Sequence, residues 1–246
     1  MKTDALTPEN STIVLIDYVV GFANLIGSHD LAEHINNAVG LAKTAVWYGS
    51  GLVAVTGRSS ESSPRPYGPY YPELLEVLGD HPVIARGSGF NCFADPDFSQ
   101  AVHDTGRQKL IFAGISGDGC VLQTVLGALR QGYEAYIVVD ATGALTERGL
   151  ETAVHRMILA GAVPLTWFSL AAEYQEDPRF AETDYRQRLI REHVPAMSMG
   201  ARFFYAAAQT QQKLPAGAGD ARELPLPERS TRTRGATDGH AYITEA

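Results

Sequence analysis

The segment KLIFAGISGDGCVL, residues 109–122, joins three kinds of local sequence within one short stretch. Residues 109–113 are largely apolar without alternation, which is typical of a strand covered on both faces of a parallel sheet. Residues 114–119 include three glycines and predict a turn. Apolar residues at positions 121, 122, 125, 126 and 129 then recur at helical spacing. The segment therefore predicts a strand, a turn and a helix, with Cys120 where the helix begins.

The same alternation of strands and helices extends over most of the chain. Strands are predicted at residues 12–16, 52–56, 82–85, 109–113, 135–139 and 163–166. Helices are predicted between them, at residues 31–48, 73–78, 97–104, 121–129 and 146–160. Parallel strands linked by crossover helices form a doubly wound sheet between two helical layers. The predicted fold class is α/β, with a six-stranded parallel sheet in a three-layer α/β/α arrangement.

The chain changes character after Trp167. Helical patterns occur at residues 170–174, 184–192 and 197–211, and from residue 214 onward the sequence is rich in Pro, Gly and charged residues. Such a composition predicts a flexible tail, or an arm that orders only against another subunit. We therefore expect one domain with a helical extension over residues 1–212 and a tail over residues 213–246.

Composition and charge exclude several classes of protein. The 246 residues are 45% hydrophobic, enough to bury a core, and their formal net charge is −8 without a dense basic stretch. This argues against nucleic acid as a partner. The first residues lack the apolar core of a signal peptide, and no apolar run could span a membrane, so a cytoplasmic protein is predicted. The two cysteines, Cys92 and Cys120, form no metal-binding motif, so neither a disulfide framework nor a metal site is expected.

Asp17 follows the first predicted strand, and Cys120 follows the turn after the fourth. Ligands bind at the carboxyl ends of strands in open α/β sheets, so neighbouring strands would place both side chains in one crevice. A carboxylate there can accept the thiol proton, and the start of a helix favours a thiolate and can hold an oxyanion. Two plainer interpretations stay open. Cys120 can be a small buried hydrophobe, and Asp17 can cap a turn or helix.

Other segments are weaker candidates for substrate binding. Residues 57–70 are rich in turn-forming residues and follow a strand, so they predict either a binding lid or a surface excursion. Asn91 is a candidate to bind a substrate carbonyl or to turn the chain. Phe22 and Phe93 are candidates for the walls of an apolar pocket, although aromatic residues after strands commonly belong to the core.

These residues resemble a known family. Asp17 after the first strand, a basic residue, Arg86, just after the strand predicted at residues 82–85, and Cys120 in the turn that begins Gly114-Ile115 are similar to the Asp/Lys/Cys site of the isochorismatase-like cysteine hydrolases. That superfamily includes nicotinamidases and N-carbamoyl amide hydrolases. The resemblance covers roughly residues 12–174. The stretches most similar to the bacterial YcaC-type branch are residues 84–87, 91–98, 138–143 and 160–168.

The resemblance implies a Rossmann-like fold, a homo-oligomer and a C–N hydrolase that acts on a small molecule. No cofactor is expected, because the zinc-binding arrangement of nicotinamidases, an Asp-x-His with a second His, has no counterpart near the second and third strands. Asp17 would accept the Cys120 proton, the thiolate would attack an amide-type carbonyl, and a thioester would form. Backbone N–H groups of Cys120 and of the preceding turn would hold the oxyanion. The resemblance also implies a cis peptide bond between Ile115 and Ser116, and a role for Arg86 in orienting Asp17 or modulating the thiol.

Two alternatives remain from the sequence. Val19 and Gly117 stand where the family often has glutamine and threonine, which permits a catalytically silent, oligomeric binding or scaffold protein. The glycines between Gly114 and Gly119 suggest a nucleotide-binding domain, but their order, Gly-x-x-Gly-x-Gly, differs from the dinucleotide fingerprint.

Overall fold

The computed structural model describes residues 4–57, 68–87 and 89–213, with side chains up to residue 207. It contains one sheet of six strands in the order β3-β2-β1-β4-β5-β6, and every neighbouring pair is parallel. The strands are β1 Ser11–Ile16, β2 Gly51–Gly57, β3 Val83–Arg86, β4 Lys109–Gly114, β5 Glu134–Val138 and β6 Val163–Leu165. The predicted doubly wound sheet is confirmed.

Helices precede or follow nearly every strand. They are α1 Val20–Ala23, α2 Leu31–Tyr48, α3 Pro72–Leu78, α4 Pro96–Asp104, α5 Leu122–Arg130, α6 Glu147–Leu159, α7 Trp167–Gln175, α8 Tyr185–His193 and α9 Pro195–Lys213. Their ends carry the signals that sequence predicts. The Asp30 side chain accepts hydrogen bonds from the first turn of α2, and Gly49 ends that helix in the left-handed conformation.

The core has two halves, one on each face of the sheet. Ile13 and Leu15 of β1 pack with residues of α2, α3, α7 and α8, whereas Val14 and Ile16 pack with residues of α4, α5 and α6. Alternate strand residues point to opposite faces, so a continuous apolar run is what a doubly covered strand requires. This is the predicted three-layer α/β/α arrangement.

The sheet order brings the two candidate catalytic segments together. β1 lies between β2 and β4, and Ile16 at the end of β1 is in register with Gly114 at the end of β4. The residues that follow, Asp17 and the turn that leads to Cys120, therefore leave adjacent strands at the same edge. This edge is where α/β proteins of this type bind their ligands.

The C-terminal part is described only up to residue 213. The chain divides into one compact unit that ends at Met199 and another that begins at Gly200. The predicted domain limit at residue 212 and the predicted tail stay predictions, because the tail lies outside the described residues. The same holds for most of the predicted lid, since residues 58–67 are not described. No helix among the described ranges is long and apolar enough to cross a membrane.

Gly114 allows β1 and β4 to approach each other where the site begins. Its φ is 152°, and a Cβ there would lie 2.1 Å from the carbonyl oxygen of Ile16. We expect Gly114→Ala to lower the free energy of unfolding by about 3 kcal/mol or more. The alanine would adopt a strained φ, and the backbone of β1 at Ile16 would also have to move away from the new Cβ. Gly132→Ala is the control, since Gly132 has a φ of 89° and no atom within 4 Å of such a Cβ. Urea unfolding showing equal losses for both variants would contradict this reasoning.

His34 is a buried histidine whose two ring nitrogens have no hydrogen-bond partner among the described residues. Tyr18 and Tyr71 lie beside it, with ring centroids 5.6 and 6.2 Å away. Burial lowers the pKa of His34 to about 4 from its ordinary 6.5. The unfolded chain therefore binds this proton more readily, so the histidine reduces stability as pH falls through 6.5, and the loss levels off below about 4.

Between pH 6.5 and pH 4, His34 is expected to lower the free energy of unfolding of the wild type by about 3 kcal/mol. We expect His34→Phe to lack this loss. The phenyl ring fits among aromatic neighbours and has no nitrogen to leave unpaired. Urea unfolding at pH 7.5, 6, 5 and 4 measures the slope. The exposed His103, replaced by Phe, controls for the loss of a histidine as such. An unchanged slope in His34→Phe would show that His34 does not govern this acid sensitivity.

Candidate active site

Asp17 leaves the end of β1 in an unusual backbone conformation. Its φ is 54°, and it is the only non-glycine residue with positive φ in the part of the chain that the structure describes. Asp is one of the few residue types that adopt this region readily. Its N–H donates to the carbonyl of Val55 on β2 at 2.8 Å, and the side chain is buried. This sharp turn ends the extended strand at Asp17 and holds its carboxylate at the edge of the sheet.

Arg86, the last residue of β3, connects the other two candidate residues. Its buried guanidinium donates from Nη2 both to Asp17 and to the Sγ of Cys120, the latter at 3.1 Å. Nη1 donates to the carbonyls of Gly87, at 3.1 Å, and Gly89. One oxygen of Asp17, Oδ1, has no hydrogen-bond partner within the described ranges. Arg86 thus holds one carboxylate oxygen, and the Cys120 thiol lies close enough to the same carboxylate to affect its pKa.

Cys120 lies in a tight turn between β4 and α5. The peptide bond between Ile115 and Ser116 is cis, at the position that the resemblance implies, and a π-helical turn spans Gly117–Val121. The Gly117 N–H donates to Gly143, and the N–H groups of Gly119 and Val121 donate to the Ser116 carbonyl. Those three groups are committed within the turn and its neighbour. The N–H groups of Ser116, Asp118 and Cys120 are the remaining candidates in this turn to hold an oxyanion.

The pKa of the thiol differs from what the helix start alone predicts. Burial, followed by the negative charge of Asp17, raises the pKa of Cys120 to about 12, and Arg86 opposes that shift. Burial and Asp17 thus act against the stabilisation of a thiolate that the start of a helix provides. Burial also raises the pKa of Asp17, against the opposing charge of Arg86. The thiol keeps its proton at rest beside a carboxylate that is more basic than usual.

A cavity of about 140 Å³ opens beside the Cys120 thiol. Its walls are Phe22, Leu25, Phe90, Ile115, Ser116, Gly119, Cys120, Ala144 and Leu145. Sequence reasoning chose Phe22, Ile115 and Ser116 for the site but missed Leu25, Phe90 and Leu145. In the sequence, Phe90 was marked only as an aromatic residue directly before Asn91 in the segment after β3. Leu25 and Leu145 gave no comparable signal, because nothing local brings their loops to Cys120.

Asn91 and Phe93 lie outside this cavity. The Asn91 side chain accepts a hydrogen bond from the Phe93 N–H and packs beside Gly127 of α5. The Phe93 ring contacts Phe98 and Tyr133, with centroids 5.0 and 5.9 Å away. The structure therefore brings Asp17, Arg86 and Cys120 together beside the cavity that Phe22 lines. Asn91 lies with Arg86 at a second, smaller cavity of about 120 Å³, whereas Phe93 has local aromatic contacts.

Comparisons with known proteins agree with this geometry. The family model of the isochorismatase domain matches residues 11–169. The probable hydrolase YcaC of Escherichia coli K12 is 31% identical over 190 residues, which cover 77% of this chain and 89% of YcaC. The structure of Pseudomonas aeruginosa YcaC with hexane-2,5-diol and covalent acrylamide is similar at a TM-score of 0.77 and 29% identity. It covers 83% of this chain and 98% of that one.

The crystal structure of E. coli YcaC, described as an octameric hydrolase of unknown specificity, is similar at a TM-score of 0.74 and 29% identity. It covers 86% of this chain and 99% of that one. The chain belongs to the isochorismatase family of hydrolases and falls within its YcaC-type branch.

Proposed function

We propose that this protein hydrolyses a C–N bond of a small molecule, in an amide, carbamoyl or related group, with Cys120 as the nucleophile. The observation that carries the proposal is the position of Arg86, whose Nη2 contacts both Asp17 and the Cys120 thiol beside an open cavity. A nucleophile, a base and a group that orients the base are the parts that covalent acyl transfer requires.

The first half of the reaction forms a thioester. As the Cys120 sulfur attacks the substrate carbonyl carbon, its proton moves to Asp17, and the carbonyl oxygen becomes an oxyanion. The N–H groups of Ser116 and Cys120 stabilise that charge. The proton then passes from Asp17 to the leaving nitrogen, the C–N bond breaks, and ammonia or an amine departs. The raised pKa of Asp17 favours the first of these transfers, because a stronger base accepts the thiol proton more readily.

The second half releases the acid. A water molecule gives a proton to Asp17 and attacks the thioester carbon, and the C–S bond then breaks. The Cys120 sulfur recovers its proton from Asp17, which returns the site to its starting state. Arg86 remains charged throughout, because burial tends to lower its pKa but the neighbouring Cys92, Asp17 and Cys120 raise it overall. It orients Asp17 and does not shuttle protons.

The relatives support an assembly of identical subunits. Since E. coli YcaC is described as octameric, we propose that this chain also forms a homo-oligomer, and light scattering during size-exclusion chromatography measures its mass. The hydrolase proposal is tested by ammonia release from a panel of small primary amides and carbamoyl compounds. Release above the rate of Cys120→Ala supports it. Failure of every compound, with Cys120 inert to acylating reagents, would favour the catalytically silent alternative.

Two substitutions of Arg86 distinguish the effect of its positive charge from the effect of its two-pronged hydrogen bonding. We expect Arg86→Met to lower kcat by about 100-fold or more, because Asp17 loses its buried partner and the thiol loses a stabilising charge. Arg86→Lys keeps the charge but only one donor group, and we expect it to retain at least about a tenth of the activity. A loss as large in Arg86→Lys as in Arg86→Met would show that the fork geometry, and not the charge, is what the site requires.

A further inference from the structure

The cavity beside Cys120 is walled almost entirely by apolar side chains. Six of its nine residues are apolar: Phe22, Leu25, Phe90, Ile115, Ala144 and Leu145. The Phe90 ring lies close to the turn, because a Cβ added at Gly119 would come within 3.6 Å of it. A substrate held with its carbonyl at Cys120 therefore places the rest of its acyl group against carbon atoms.

The charged groups of the site face one another. Arg86 donates to Asp17, to the Cys120 sulfur and to the carbonyls of Gly87 and Gly89, so its Nη atoms are occupied. Neither Arg86 nor any other cationic side chain is among the described residues that wall the cavity. A substrate carboxylate would thus lose its hydration against apolar walls, with the carboxylate of Asp17 as a like charge nearby.

We infer that the acyl half of the substrate is uncharged and apolar, with about the bulk of a benzene ring. The size follows from the cavity volume of about 140 Å³, since an apolar protein cavity of about 150 Å³ is known to hold benzene. The inference rests on the proposed cleavage at Cys120 and names the class of substrate for that same site.

Leu25, Phe90 and Leu145 are the residues that set this preference at the mouth of the cavity. They are 49%, 66% and 56% exposed, in contrast to Ile115 at 3%. Apolar side chains that remain this exposed at a cavity lose contact with water when a ligand covers them, which favours apolar ligands. The specificity thus lies in three separate loops around one nucleophile.

The test compares two amides of nearly equal shape. 4-Methylpentanamide ends in an isopropyl group, where succinamate carries a carboxylate. We expect kcat/KM for ammonia release to be at least about 100-fold higher for 4-methylpentanamide, because only the carboxylate must be desolvated. If succinamate is cleaved as well or better in a Cys120-dependent way, the inference is wrong and the proposed hydrolysis still stands.

A binding measurement separates the inference from turnover. Each amide is tested for protection of Cys120 against iodoacetamide, with peptide mass spectrometry to distinguish Cys120 from Cys92. We expect 4-methylpentanamide to slow labelling at concentrations where succinamate has no effect. Equal protection, or protection by succinamate alone, would overturn the inference even if neither amide is hydrolysed. Absence of hydrolysis with selective protection would count against the proposed chemistry and for the inferred pocket.

Leu25→Arg adds a cation at the exposed mouth of the cavity, and Leu25→Gln adds a polar group without charge. We expect Leu25→Arg to move the ratio of kcat/KM values toward succinamate by about 10-fold or more, because the new cation pairs with the carboxylate. Leu25→Gln should move the ratio in the same direction but by a smaller factor, because it removes apolar surface without adding a charge. An unchanged ratio in both variants would mean that Leu25 does not face the acyl group.

Discussion

Replacing Cys120 with serine is expected to lower kcat/KM for any substrate by at least about 1,000-fold. A hydroxyl is a far weaker nucleophile than a thiol, and Asp17 cannot make up the difference. The fold should persist, because serine is nearly isosteric and Cys120 is only partly buried. The measurement is ammonia release by the purified variant, with circular dichroism melting to confirm that it is folded.

Cys92 provides the matched control for this variant. It is also a free cysteine, but it is fully buried and its N–H donates to the Thr124 hydroxyl at 3.0 Å. Burial raises the pKa of its thiol to about 11. We expect Cys92→Ala to keep turnover within about threefold of the wild type, since no step needs this sulfur, while stability falls by about 1 kcal/mol. If Cys120→Ser turned over substrate as fast as Cys92→Ala, Cys120 could not be the nucleophile.

Asp17→Asn is expected to lower kcat by about 100- to 10,000-fold, the usual contribution of a general base. Asparagine is chosen because it tolerates the left-handed backbone that Asp17 adopts. The same change removes a negative charge that raises the pKa of the Cys120 thiol, while Arg86 stays beside it. The pKa of Cys120 should therefore fall in the variant that loses activity.

The pH dependence of Cys120 alkylation measures this fall in the pKa of the thiol independently of turnover. We expect labelling of Cys120 by iodoacetamide to begin at lower pH in Asp17→Asn than in the wild type, although turnover has nearly stopped. The variant should also melt at lower temperature, because Arg86 is left buried without its carboxylate. Unchanged turnover would refute the role of Asp17 as base. A labelling profile that shifts to higher pH would refute the electrostatic arrangement described for the site.

The wild type should lose activity in acid above the pH at which an ordinary aspartate is protonated. Because burial raises the pKa of Asp17 from its ordinary 3.8, the base becomes protonated at higher pH than usual. Turnover therefore needs pH values above that raised pKa. An acid limb of kcat at or below pH 3.8 would show that Asp17 is not the titrating base.

Sequence predicted the sheet well because the strands are buried on both faces. Continuous apolar runs leave little choice but a doubly covered parallel sheet, and glycines and capping residues limit where the helices end. The location of the site depends on the order of the strands in the sheet. Only once β1 and β4 are neighbours do Asp17 and Cys120 share a crevice, and that neighbourhood is a tertiary fact that no local pattern contains.

The parts that sequence missed depend on contacts between distant loops. Leu25, Phe90 and Leu145 belong to three segments that meet only in the folded chain, so their apolar character gave no indication of a shared cavity. Asn91 and Phe93 also make local contacts, a cap and an aromatic cluster, that their positions in the sequence did not indicate. The rise in the pKa of the Cys120 thiol could not be predicted, because burial cannot be read from the position of a helix start.

The most direct test of the account is to identify the residue that becomes acylated. p-Nitrophenyl isobutyrate, an activated small acyl donor, is mixed with the protein, and the reaction is quenched in acid. The account predicts a burst of one p-nitrophenol per chain and an isobutyryl group on the Cys120 peptide that hydroxylamine removes. Neither should appear in Cys120→Ala. Acylation of another residue, or the same burst in Cys120→Ala, would contradict the claim that Cys120 is the nucleophile.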